Sequence, residues 1–576
     1  MRNPVAAMMK NTWKYAKGHR AMLILAVGLS VIANGLIVVE PFVFGLLLKD
    51  LQAAMDAGTL ASREMFVQAV QYLLILAALP GLFWVFHGIS RVFESIVAYN
   101  VMGNYCQMSL AALFALPVEW HRGNHSGKNI DKFNRAGLAL KDFADEIFVL
   151  TEIIIGVLGS FAFLFFVEFY VGLLAAGISA FTFVIVVIFD KYLHAMYKRL
   201  HVFYNKTASV SYDYISNVFT VLTMRFEEAA VQEYLRRFFA PFKLYKKKVI
   251  VNECKWASVT FFITLMTVGV VAWEVLGAIS AGEMIVIGTL YTLWAYLERI
   301  GHNFYQFAWK YSKIVEQDAS VASANNIFEA YAKLGGKVDE NELRVPELRN
   351  WDELEVRGLH FTYEDEQKVK HQIKDVNLTI KRGERIAFVG ESGCGKSTVL
   401  GLLRGIYKAQ KGELWLGANK LPHGLLHLAG MTTLMPQEPE IFENTIRYNV
   451  AMGVSVPLKK VKEVLKLARF DGVLKKLPKG MDTNIAEKGV NLSGGEKQRL
   501  ALARGLLAAE RSDIILMDEP TSSVDMENER AILEGVFQNS KDKTIIASVH
   551  RLSLLPMFDK VVYFEGGRVV QVEERD

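Results

Sequence analysis

Gly390–Thr398 reads GESGCGKST. The apolar run Ile386–Val389 leads into it, and VLGLLRGIY, apolar at helical spacing, leads out. That order describes a buried strand, a glycine-rich loop and a helix. The spacing G-x-x-x-x-G-K-S is that of a phosphate-binding loop. Gly390, Gly393 and Gly395 let backbone N–H groups turn inward around phosphate oxygens. The N-terminus of the next helix adds partial positive charge. Lys396 can reach terminal phosphates, and Ser397 can offer its hydroxyl to Mg²⁺. A glycine-rich turn with a surface lysine would share these letters, but the flanking strand and helix argue against it.

Around this stretch the composition is uneven. A chain of 576 residues should hold more than one domain. Apolar residues make up 52% and the mean hydropathy is +0.22, high for a soluble protein. The formal charge of +5 is small for this length and gives no reason to expect nucleic acid as a partner. Cys106, Cys254 and Cys394 lack metal-ligand spacing and read as reduced and unpaired. Residues 1–325 hold long runs almost free of charge, while 351–576 have ordinary soluble composition. Between them, 326–350 is polar, with a glycine pair and a proline, and reads as a linker.

The first part contains six candidate spans, about 21–48, 67–90, 147–167, 169–190, 257–280 and 284–306. Polar and proline residues interrupt several: Glu40–Pro41, Pro80, Glu152 and Glu274, with Glu298 and Arg299 near the end of the sixth. Glu40, Glu152 and Glu274 could touch a substrate or be structural. The basic opening, residues 1–20, reads either as a helix lying on the membrane surface or as a disordered tail. Segments 91–146 and 191–256 are long, charged and helical in pattern, so the helices should continue beyond the membrane. Lys and Arg crowd residues 1–20, 191–199 and 246–248, which places both termini and both long loops in the cytoplasm.

The second part opens with strand-like runs. Tyr363, about thirty residues before the phosphate loop, could stack on a purine or be an ordinary strand aromatic. Gln437 stands where a strand ends and could coordinate Mg²⁺ or orient water. In NLSGGEKQRL, Ser493, Gly494 and Gly495 open a helix, with Glu496 placed for a capping box. This is a second helix end able to meet an anion, or a plain N-cap. The buried strand Ile514–Met517 ends in Asp518–Glu519, where acids would face a ligand crevice. Asp518 suits Mg²⁺ and Glu519 the polarisation of an attacking water. Another apolar run ends at His550, within reach of a terminal phosphate.

Taken in order, these residues resemble the ATP-binding cassette (ABC) transporter family. Tyr363 matches the A-loop, Gly390–Thr398 Walker A, Gln437 the Q-loop and LSGGE the signature. ILMDE matches Walker B, SSVD (ending at Asp525) the D-loop, and His550 the switch histidine. NIAEKG resembles the exporter X-loop, with Ala486 where a glycine is usual and Glu487 keeping the acid. The resemblance implies ATP and Mg²⁺ as cofactors, with Ser392, Cys394, Thr398 and Asp525 joining the residues named above around the nucleotide. It also implies that the signature of one chain caps the ATP held by another. The chain should therefore dimerise, most simply with a second copy, a heterodimer being the alternative.

The expected fold is a six-helix all-α transmembrane domain with long cytoplasmic extensions, followed by an α/β P-loop ATPase cassette. The expected function is ATP-driven transport across a bacterial cytoplasmic (inner) membrane. Export of a lipid, glycolipid, peptide or small amphiphile is the first reading, and import on the same fold the second. Coupling elements should lie near 121–132 and 211–222. A soluble ATPase acting on nucleic acid or ribosomes is the third reading; the six spans weigh against it, and extraction requiring detergent would exclude it.

Overall fold

The computed structural model describes residues 3–124, 126–333, 348, 351–364, 370–438, 440–485 and 492–575. Most of the expected linker and the pair Ala486–Glu487 lie outside these residues. The chain forms two compact units. One comprises Met1–Ala115 and Ser126–Tyr331, the other Leu116–His125 and Ala332–Asp576.

The first unit is helical. Its elements are α1 (Pro4–Tyr15), α2 (Arg20–Asp56), α3 (Arg63–Ala115), α5 (Ser126–Ala144), α6 (Ile147–Val167) and α7 (Phe169–Ser216). They continue with α8 (Val218–Thr223), α9 (Glu227–Phe239), α10 (Phe242–Ala281) and α11 (Ile287–Lys333). The short helix α4 (Val118–Arg122) belongs to the second unit. Among the described residues, five helical stretches are long and apolar enough to cross a membrane, within 20–56, 63–115, 147–167, 169–216 and 227–281. The sixth expected span falls in α11, which is long but less apolar because it carries Glu298, Arg299 and His302.

The prolines do not break the helices. α2 continues through Pro41 and α3 through Pro80. Proline has no N–H, so Pro41 deprives the Ile37 carbonyl of its helical donor. The Arg299 guanidinium supplies one instead, with Nη1 donating to Ile37 O at 2.7 Å. One residue on, buried Tyr296 donates its hydroxyl to Val38 O at 2.9 Å. Side chains of α11 thus satisfy the backbone of α2, as an apolar solvent requires. The same pair of helices meets farther along. Gly45 and Gly288 bring the backbones together: a Cβ on Gly288 would lie 2.2 Å from Gly45 O. At the end, Gln52 donates to Ile285 O at 2.9 Å and accepts from Ile287 N–H at 2.8 Å.

α1 packs on the protein along one side. Met8 and Tyr15 are buried, Tyr15 edge-on to Tyr105, while Met9 and Trp13 are exposed. Its start is fixed by Asn3, whose side chain accepts from Val5 and Ala6 N–H. The N-terminus of α6 is capped from another helix, with buried Glu94 accepting from Phe148 N–H at 2.6 Å.

The described residues of the second unit form two sheets. One is antiparallel, in the order β2-β1-β4-β5: Lys370–Lys381, Glu353–Glu364, Lys411–Leu416 and Asn419–Lys420. The other runs β10-β9-β3-β8-β7-β6: Arg568–Glu574, Lys560–Glu565, Arg385–Val389, Thr544–Ser548, Ile514–Asp518 and Thr432–Met435. From β9 to β6 all neighbours in this sheet are parallel. β7 and β8 are buried at every position, which explains their unbroken apolar sequence. One core lies between the two sheets around the helix Lys396–Leu403, and the other against the helices Leu458–Leu467, Gly494–Ala508 and Met526–Asn539. Parallel strands end on one side, so Gly390, Gln437, Glu519 and His550 all follow strands that point the same way.

Candidate active site

The phosphate loop leaves β3 at Gly390 and enters the helix at Lys396. Two glycines are dictated by geometry. Gly390 has φ +154°, and a Cβ there would lie 2.3 Å from Phe564 O. Gly395, the N-cap, has φ +109°, and a Cβ there would lie 2.6 Å from the Ile373 side chain. Buried Lys396 curls back over the loop, with Nζ donating to the carbonyls of Gly390 at 2.7 Å and Glu391 at 3.0 Å. The buried Cys394 thiol is 3.7 Å from the same ammonium.

Ser397, on the first turn of that helix, donates to Asp518 Oδ1 at 3.0 Å. Ser548, at the end of β8, donates to the same oxygen at 2.8 Å and accepts from Glu519 N–H, also at 2.8 Å. Glu519 follows with φ +46°, unusual for a residue with a side chain, which turns its carboxylate out of the strand direction. There it accepts from Gln437 Nε2 at 2.8 Å and meets His550 Nε2. Three strand ends therefore converge on one carboxylate. No group of three or more His, Cys, Asp and Glu that could hold a metal occurs among the described residues. The Ser397 hydroxyl and the Asp518 carboxylate, with the Gln437 amide on the neighbouring Glu519, are oxygen donors that suit Mg²⁺ completing its shell with phosphate oxygens and water. Ser397, Asp518 and Gln437 would hold it, where it would neutralise charge on the phosphates.

The other expected residues make contacts of their own. Tyr363 lies on β1 in an aromatic stack, 5.0 Å from His371 and nearly parallel to Tyr407. Ser493 caps the helix Gly494–Ala508 in a complete capping box: its hydroxyl accepts from Glu496 N–H, and the Glu496 carboxylate from Ser493 N–H. Asp525 caps the helix Met526–Asn539. Hydrogen bonds from the Asn528 side chain and N–H hold its carboxyl below the usual range. The carbonyl of Ser523 would lie 2.8 Å from a Cβ on Gly495, so this position has to be glycine. Ser548 was not singled out in the sequence. A hydroxyl two residues before His550, at the end of a buried strand, was the available signal.

Two family models match the chain, "ABC transporter" over residues 373–522 and "ABC transporter transmembrane region" over 23–298. The chain belongs to the ABC transporter family. It joins a transmembrane region and an ATPase cassette. Among curated relatives of this ABC transporter, P-glycoprotein 14 of Caenorhabditis elegans is 38% identical over 39% of this chain and 17% of that protein. The sophorolipid transporter of Starmerella bombicola is 28% identical over 64% of this chain and 28% of its own length. The ABC transporter therefore spans less than a third of each of these two. A solved structure of a bacterial Atm1-family ABC exporter with ATP bound shares its fold, with TM-score 0.79 and 20% identity over 97% of this chain and 96% of that one.

Proposed function

We propose that this ABC transporter hydrolyses ATP to drive export across a membrane, as a dimer of two identical chains that share two ATP sites. The observation that carries the reading is the convergence of Gln437, Glu519 and His550 beside the Ser397–Asp518 pair, in a chain that also has membrane-crossing helices. In this reading Glu519 accepts the proton of the attacking water, and Gln437 and His550 hold its carboxylate in place. Lys396 and Ser397 hold the phosphates. Ser493, Gly494 and Gly495 meet the ATP of the partner chain, with Asp525 at the seam between them. Tyr363 stacks on the purine. Residues 1–325 form the transmembrane domain, 326–350 the linker and 351–576 the cassette. The membrane is a bacterial inner membrane, with the cassette in the cytoplasm.

The second long loop supports a coupling role. Around α8, Ile215, Phe219, Leu222 and Met224 are all exposed, and α8 buries nothing. Such a turn needs an apolar surface to dock on. The substrate class is amphiphilic: a lipid, glycolipid, peptide or small molecule. The name of the sophorolipid relative favours a glycolipid.

The test is reconstitution in vesicles with the cassettes outside, probed with a fluorescent phospholipid, a fluorescent glycolipid and a cationic dye. Accumulation in the lumen that requires ATP and Mg²⁺, and disappears in Glu519→Gln, is the expected result. Depletion of a preloaded lumen would establish import instead. An absence of ATPase activity in the purified dimer would overturn the reading.

A further inference from the structure

Arg551 follows the switch histidine and has no part in the chemistry assigned above. Its side chain nevertheless turns back into the cassette and forks. Nη1 donates to Glu529 Oε2, and Nη2 donates to the Val524 carbonyl at 3.1 Å. Glu529 is on the first turn of Met526–Asn539 and is only 8% exposed. Its other oxygen, Oε1, accepts from buried Thr521 Oγ1 at 2.8 Å. One buried carboxylate and one guanidinium therefore tie residue 551 to both ends of the segment Thr521–Val524. A fork of this kind needs the planar arrangement of arginine, which lysine cannot supply.

The middle of the same segment is gripped from the opposite side. Gln498, 5% exposed on the signature helix, donates Nε2 to Ser522 Oγ at 2.8 Å. Its Oε1 accepts from Ser523 N–H at 2.7 Å. Beside this pair, Ser523 O abuts Gly495 closely enough to exclude any side chain there. Thr521–Val524 is thus held between the switch loop and the signature helix by directional bonds on each side. A shift of the His550 loop has to pull on Val524, and a shift of Ser522–Ser523 has to press on Gly495.

We propose that Arg551 is a positioning residue that couples the two ATP sites, transmitting the state of the His550 loop through Thr521–Val524 and Gln498 to the signature of the same chain. This rests on the dimer reading, in which His550 serves one ATP and Ser493–Gly495 the other. The path stays within one chain and one compact unit, and its anchoring groups, Thr521, Val524, Glu529 and Gln498, are buried. It gives the coupling a physical carrier: a segment that both sites can bias.

The experiment uses the full-length protein in lipid nanodiscs, with ATPase rate measured against ATP concentration. The wild type should show a Hill coefficient approaching 2, the number of sites. Arg551→Lys and Arg551→Ala should bring it to about 1, and Gln498→Ala should do the same from the other side of the segment. Thermal midpoints and fluorescent-nucleotide binding, read on the same preparations, show that the variants are folded. A folded Arg551→Lys that keeps the wild-type Hill coefficient overturns the proposal. A loss of turnover at unchanged Hill coefficient also does so, leaving Arg551 as a brace. A wild type with a coefficient of 1 removes the coupling itself. The dimer reading is checked separately by pairing Ser392→Cys with Gly494→Cys. Gly494 has room for a side chain, its nearest neighbour lying 3.9 Å from the new Cβ. A cross-chain bond formed with ATP, together with unaltered cooperativity in Arg551→Lys, rejects the relay alone. Without the bond, the dimer reading and the relay fall together.

Discussion

Replacing Arg299 with alanine should destabilise the transmembrane unit, and should do so much less when Pro41 is also replaced. In the wild type the Ile37 carbonyl has no helical donor, because residue 41 is proline, and Arg299 Nη1 at 2.7 Å takes that role. Arg299→Ala leaves the carbonyl unpaired. Stranding a buried acceptor costs about 1–3 kcal/mol, and an apolar solvent favours the upper end. Pro41→Ala returns an N–H four residues after Ile37, so the helix can close its own bond. In that background the loss of Arg299 should cost about 1 kcal/mol or less. The two changes should then couple by about 1–2 kcal/mol, well beyond the roughly 0.5 kcal/mol scatter of independent sites. The assay is a double-mutant cycle on four proteins, unfolded reversibly in mixed micelles and followed by their helical signal. Equal costs of Arg299→Ala in both backgrounds would refute the argument and leave Arg299 as a charge with no role in the backbone.

Three further outcomes are expected. Glu519→Gln should lower ATP turnover by about 10²–10⁴-fold, or about 3–5 kcal/mol, while nucleotide still binds; phosphate release near the wild-type rate would remove Glu519 from catalysis. Ser397→Ala should raise the Mg²⁺ concentration needed for half-maximal ATPase by about tenfold or more, read from a Mg²⁺ titration, and an unmoved curve would exclude its hydroxyl from the metal shell. Phe219→Asp alters a side chain that is 80% exposed, so stability should stay within about 0.5 kcal/mol. Transport should nevertheless collapse while ATP hydrolysis continues, and transport at the wild-type rate would take α8 out of the coupling.

The cassette was legible because its signals are local. An apolar run followed by glycines and a lysine specifies strand, loop and helix within twenty residues, and the Ser493–Glu496 capping box needs only four. The roles of Ser548 and Arg551 were not legible. Both depend on the order of strands in the sheet, which brings residues 397, 518, 519 and 548 together and turns 551 towards 524 and 529. Pro41 looked like an interruption for a related reason. Its missing N–H is written in the sequence, whereas the donor that compensates for it stands 262 residues away from Ile37. α11 was harder to read as a span than the others because the polar residues that serve α2 lower its own hydropathy. For α1, the sequence left a membrane surface and a disordered tail open, and the burial of Met8 and Tyr15 shows a helix that packs on protein along one side.

The contacts between α2 and α11 also have a mechanical meaning. From Ile37 to Gln52 the two helices are joined at four levels: by Arg299, by Tyr296, by the Gly45–Gly288 approach and by Gln52. The fifteen helical steps between them cover about 22 Å, most of the thickness of a bilayer's hydrocarbon core. Two rods pinned at four levels cannot slide or splay independently, so they behave as one stiff beam. Any bending that opens the unit therefore has to occur along other helix seams.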